Sequence, residues 1–131
     1  MTAAVETPAG IYTVDAELER VVDFVPGASL PEPEPLRLGL PLLVAAAAEG
    51  STVVAILDRR PPLVVSHDAG RTWRQAGGGL PPGRAVAIAE DDPDRILYGS
   101  ATRLHVSLDG GRFWRSLEPE LAEIERVAWL D

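Results

Sequence analysis

Cysteine is absent from the 131-residue chain, which excludes disulfides, thiolate metal sites and a cysteine nucleophile. Lysine is absent too, so all twelve basic residues are arginine, and against 20 acidic residues they leave a formal net charge of −8. A chain this acidic, with no basic stripe, is poorly suited to tracking a phosphate backbone, and nucleic acid is excluded as an expected partner. Long hydrophobic runs are missing as well. The longest, LPLLVAAAA, is far short of the roughly 20 residues that span a bilayer, and the opening MTAAVETPAG has neither a basic segment nor an apolar one to read as a signal peptide. The expectation is a soluble, cytoplasmic protein of one domain or part of one, with no membrane association.

What the chain does contain is a repeat. SHDAGRTW (66–73) and SLDGGRFW (107–114) lie 41 residues apart, and gap-free alignment of 45–76 with 86–117 gives eleven identities in 32 positions, among them Glu49/Glu90, Leu63/Leu104, Val65/Val106 and Arg74/Arg115. A period near 41 falls in the range of four-stranded propeller blades. Within the second copy AVAIAE (85–90) alternates, DDPD (91–94) reads as a turn, and ILYGSA and RLHVS read as strands, with a fourth starting near Phe113. The first copy follows the same plan through LLVAAAA, TVVAIL, PLVVS and WRQA.

Two segments conflict with an all-β reading. AELERVVDFV (16–25) and ELAEIERVAWL (120–130) carry apolar residues at helical spacing. The repeat register favours a strand for 126–130, and IYTVD with RVVDFV also reads as a hairpin.

The repeated octapeptide has a physical job without any ligand. Ser66 and Asp68 supply short acceptors for turn N–H groups, Gly70 tolerates positive φ, and Trp73 opens the next strand with a large apolar face; Ser107, Asp109, Gly111 and Trp114 repeat these roles. His67 becomes Leu108 in the second copy, so imidazole is not required there. A triad of Ser66, His67 and Asp68 is ruled out because neighbouring strand residues point to opposite faces.

S-x-D-x-G-x-x-W resembles the Asp-box, or BNR repeat, of sialidase-like, sortilin-type, xyloglucanase and photosystem II assembly-factor propellers, and DDPDRILYGSATRLHVSLDGGRFW resembles the second to fourth strands of their blades. SLDGGRFW departs from the pattern in carrying Phe113 where threonine is usual. The resemblance implies an all-β partial propeller of about three four-stranded antiparallel blades, with the boxes as structural hairpins away from any ligand. The organisation it suggests is an outer half-blade hairpin at 1–28, a Pro-rich connector at 29–41, blades at 42–84 and 85–119, and the first strand of a further blade at 120–131. No cofactor, metal site or catalytic residue is expected.

The blander readings hold for the remaining candidates. Glu90, Asp91, Asp92 and Asp94 read as a solvated turn more than a calcium site, and His105 as a half-buried strand residue. Gly77-Gly78-Gly79 reads as a connection, and Arg71, Arg74, Arg112 and Arg115 as blade-edge partners. An arc of three blades leaves two faces wet, which leads to the expectation of a homodimer closing a six-bladed ring, each C-terminal strand completing the partner's first blade, or else of a piece of a longer propeller. Two functions stay open: a non-catalytic scaffold binding protein or glycan, and a glycosidase-like enzyme of the sialidase or xyloglucanase type.

Overall fold

The computed structural model describes residues 1–131. It contains twelve strands and no helix, so none of the chain forms a helix able to cross a membrane. In chain order the strands are β1 (Thr2–Thr7), β2 (Gly10–Asp15), β3 (Arg20–Pro26), β4 (Leu43–Glu49), β5 (Thr52–Leu57), β6 (Leu63–Ser66), β7 (Arg74–Ala76), β8 (Gly83–Ala89), β9 (Asp92–Ser100), β10 (Arg103–Ser107), β11 (Arg115–Glu120) and β12 (Arg126–Trp129). They form three antiparallel four-stranded sheets: blade 1 in the order β12-β1-β2-β3, blade 2 as β4-β5-β6-β7 and blade 3 as β11-β10-β9-β8.

Both helix-like segments are extended. Tertiary context overrides their propensity: β12 seats Val127 and Trp129 on the core between blades 1 and 3, and β3, exposed along its whole length, is held by its ladder to β2 with Tyr12 opposite Phe24. The N-terminal region holds one strand more than the expected hairpin. β1, written TAAVET, is almost wholly buried, and its alanines gave no β signal. The reversal at DDPD is also tighter than expected, because the turn falls at Glu90-Asp91 and β9 already begins at Asp92.

The C-terminal strand corrects the expected exchange between chains. β12 pairs with β1 of its own chain, Ala3 opposite Trp129 and Glu6 opposite Arg126, so blade 1 joins segments more than 100 residues apart in one polypeptide. Closing the sheet internally satisfies the β1 edge that would otherwise recruit a partner.

Two cores bind the blades into an arc. Between blades 3 and 1, Leu97, Leu104, Val106 and Leu117 meet Ala3, Val5, Val14 and Ile124; between blades 2 and 3, Val54, Ile56, Leu63 and Val65 meet Val86, Ile96 and Tyr98. Blade 3 thus presents alternate residues of its middle strands to neighbours on its two sides, as stacked repeats must. Blades 1 and 2 meet instead through the connector. At one end the Leu30 N–H donates to Glu6 Oε1 at 2.6 Å and Arg126 Nη1 donates to the Leu30 carbonyl at 3.3 Å. At the other, Leu38 and Leu40 pack on Ala55, Leu57 and Val64 of blade 2. The Pro-rich segment is therefore a strap across the open side of the arc; it covers part of blade 2, while β3 of blade 1 is exposed along its whole length.

Candidate functional site

The two octapeptides fold alike. Ser66 Oγ donates to Asp68 Oδ1 at 2.7 Å and accepts from the Gly70 N–H at 2.8 Å, while Asp68 Oδ1 accepts from the Arg71 and Thr72 N–H groups at 3.1 and 2.9 Å. Ser107 and Asp109 do the same, with distances of 2.8, 2.9, 3.1 and 3.0 Å to Asp109, Gly111, Arg112 and Phe113. Ser66 and Ser107 are each 1% exposed and their hydroxyls are committed to a local carboxylate, a geometry that offers no oxygen for attack on a substrate. His67 lies beside Thr52, with 3.5 Å between its Nδ1 and Thr52 Oγ1.

The Thr72 hydroxyl, followed by the Thr72 N–H and Ser66, holds the Asp68 carboxyl well below its ordinary range. Asp109 is also lowered, first by the Phe113 N–H and then by Ser107. Gly70 and Gly111 have φ of 89° and 93°, but the residue before each is left-handed as well: Gly110 at 75° and, unexpectedly for a side-chain residue, Ala69 at 62°. The indoles fold back over the turns, Trp114 donating Nε1–H to the Gly111 carbonyl at 2.9 Å. Trp114 joins the core between blades 2 and 3, and Trp73 packs beside the strap residues Leu38 and Leu40.

Arg74 and Arg115 prove to be clamps between blades. Arg74 donates from Nη2 to the carbonyl of Gly110 in the next box at 2.9 Å, and Arg115 donates from Nη2 to the carbonyl of Ala16 in the β2–β3 turn at 2.7 Å. That turn occupies the place of a box in blade 1 and uses a simpler device, in which Asp15 Oδ1 accepts from the Glu17 and Leu18 N–H groups at 2.9 Å each.

With the boxes occupied by their own backbone, the concave feature of the molecule is elsewhere. A cavity of about 1510 Å³ lies at the centre of the arc, lined by β4, β8, β12 and the strap. Its walls are rich in alanine from the AVAIAE and LLVAAAA segments, and its aromatic residue is Trp129, whose ring is covered by the Arg95 guanidinium at 4.5 Å. Stepping by the repeat places Glu49, Glu90 and Asp131 at matching ends of the three inner strands, 49 + 41 giving 90 and 90 + 41 giving 131. Asp131 is engaged by the Thr2 N–H, which with the Met1 ammonium and then Arg95 holds its carboxyl low against its partial desolvation. No group of three or more His, Asp or Glu is placed to hold a metal ion. Asp92 accepts from the Asp94 N–H at 3.1 Å, and Asp91 pairs with Arg95 at 3.6 Å.

A smaller cavity of about 540 Å³ opens at the opposite end of blade 3, beside Pro81, Arg103, His105 and Ser116. His105 is buried there, not half-buried as expected, and its Nδ1 lies 2.8 Å from the Ser116 hydroxyl. Burial, then Arg103, push its imidazole below the ordinary range and keep it neutral. The neighbouring Tyr98, pushed up to about 12 by burial, donates its hydroxyl to the Pro81 carbonyl.

No protein-family model matches the chain, and no curated protein matches it. Among solved structures the chain is similar to "YCF48 bound to D1 peptide", with a TM-score of 0.51 and 16% identity over 91% of this chain and 36% of that one. It is similar also to the GH74 enzyme of Niastella koreensis, with a TM-score of 0.51 and 22% identity over 93% of this chain and 18% of that one. The chain spans about a third and a fifth of the two, and likeness at these identities concerns the fold. It is a distant, partial match to propeller proteins, three blades of an all-β arrangement not closed into a ring.

Proposed function

We propose that the chain is a non-catalytic, propeller-type module that binds a segment of another protein in its central cavity. The observation that carries this reading is the cavity itself. It is walled by three inner strands, each the edge of its sheet, so each turns a row of backbone N–H and C=O groups toward the space, the recognition surface an extended polypeptide uses. A glycan fits less well, since the stacking platform a sugar ring would want is reduced to Trp129, whose face Arg95 occupies. The boxes serve as scaffold in this reading, because their polar atoms are spent on their own turns.

Panning a displayed random peptide library against the immobilised protein tests it. Sequences should be enriched, and retention of those sequences should be lost with Ala48→Trp, which fills the cavity from an exposed position on β4. Enrichment indifferent to that substitution overturns the proposal. So does turnover of a fluorogenic glycoside that disappears when a cavity carboxylate is replaced.

A further inference from the structure

The character of the peptide can be read from the charges around the cavity, on the assumption that the cavity is the protein-binding site just proposed. Its lining carries two guanidiniums, and both are already neutralised. Arg84 pairs with Glu123 at 3.2 Å, and Arg126 lies between Glu6 at 3.6 Å and Glu32 at 3.3 Å. Four lining carboxylates, Glu34, Glu49, Glu90 and Glu125, make neither an ion pair nor a hydrogen bond. They come from every wall: the strap, β4, the end of β8 and the approach to β12. Their fields add across one concave space, whose apolar walls help to focus them.

Size and wall chemistry narrow the occupant further. At about 1510 Å³ the cavity exceeds the roughly 300–1,000 Å³ of small-molecule sites, which favours a polymer segment over a small cation. The alanines of β4 and β8, set among Leu36, Leu43, Ile88 and Trp129, give the walls apolar surface with room between for apolar side chains from the ligand.

We infer that the central cavity takes an extended segment of a partner protein whose apolar side chains enter between the inner strands and whose flanking Lys or Arg residues meet Glu34, Glu49, Glu90 and Glu125. The strap contributes one wall and one carboxylate, so the segment lies between strap and blades, with its main chain along an inner-strand edge.

The peptides enriched on the immobilised protein provide the test. They should carry at least two Lys or Arg around an apolar centre. Fluorescence anisotropy of a labelled representative should show affinity falling at least tenfold between about 20 mM and 300 mM NaCl, as screening shortens the Debye length from about 20 Å to about 6 Å. The Glu49→Gln/Glu90→Gln double variant, at two exposed or half-exposed positions, should lose most of that salt dependence while keeping its urea midpoint. Cavity-dependent peptides without basic bias, or salt dependence unchanged in the double variant, overturn the inference and leave the protein-binding reading standing. Absence of any cavity-dependent peptide overturns both. If the occupant is a second copy of this chain, sedimentation will show self-association abolished by Ala48→Trp, and the inference fails in favour of that alternative.

Discussion

Asp68 shows how one carboxylate can organise a turn. Its folded-state affinity for a proton is lowered by donors that exist only in the native hairpin, the Thr72 hydroxyl foremost, so ionisation and folding are coupled. The unfolded carboxyl titrates near 3.8. The stabilisation is fully present above that pH and is lost as pH falls through the lower folded value. Asp109 contributes in the same direction, but without a hydroxyl in the place of Thr72. Replacing Thr72 by Val should therefore flatten the acid limb of a plot of urea midpoint against pH, whereas Phe113→Val should leave its steepness unchanged.

Ala69 makes a second residue-scale case. A left-handed alanine costs about 1–2 kcal/mol, partly offset by the greater freedom that glycine would have in the unfolded chain. Ala69→Gly, which copies Gly110, should stabilise by about 0.5–1 kcal/mol in urea titration. Gly70 and Gly111 were legible from the sequence because glycine announces positive φ. Ala69 was not, and the only hint was its alignment with Gly110.

At the level of elements, the strap is held through Glu6, which is 7% exposed in β1 and meets both the Leu30 N–H and Arg126. Glu6→Ala leaves a guanidinium and an amide short of a partner, at a cost of about 1–3 kcal/mol. Because Leu30 lies outside any strand, that cost should appear first as loosening of the strap. Trypsin should cut after Arg37, the one arginine between residues 27 and 42, several-fold faster in Glu6→Ala than in the native protein. An unchanged rate at that site would show that Leu38 and Leu40 hold the segment alone.

Element boundaries were legible where the repeat ran in register and obscure where it did not. The gap-free alignment contains no identity between Glu49 and Leu63, and the pairings explain why. Val53 faces Ser66 and Ile96 faces Ser107, so the second strands are related by 96 − 53 = 43 residues while the boxes are related by 41. Ala48 faces Val53 and Ile88 faces Ile96, so the inner strands are related by 88 − 48 = 40 residues and three extra residues enter at the start of β9, where the ladder to β8 shifts between Ile88 and Ala89; a β5–β6 loop longer by two in blade 2 brings the boxes back to 41. The strap gave no pattern at all. Its prolines predict extended chain but cannot indicate which faces the intervening leucines cover.

On the scale of the molecule, blade count and repeat length followed from the two boxes, and the central cavity followed from neither. Its acidic rim is visible in hindsight as the pair Glu49/Glu90 extended one period to Asp131. The strand exchange expected with a partner chain could not have been separated by sequence from pairing within one chain, since the same strand satisfies the same edge in both. The distinction can be measured. Removing residues 125–131 deletes β12 and exposes the β1 edge along Ala3–Glu6; the shortened protein should associate further than the full chain in light scattering, and a synthetic peptide of residues 121–131 should reverse the difference.

That union of β1 with β12 also sets a schedule for biosynthesis. Residue 7 leaves the ribosome long before residue 129, and at about 5–20 residues per second the interval is roughly 6 to 24 s. Throughout it, β1 waits without β12 beside it, while blades 2 and 3 are completed from consecutive segments. A nascent chain of this protein is exposed to misassembly along β1 until β12 has been made.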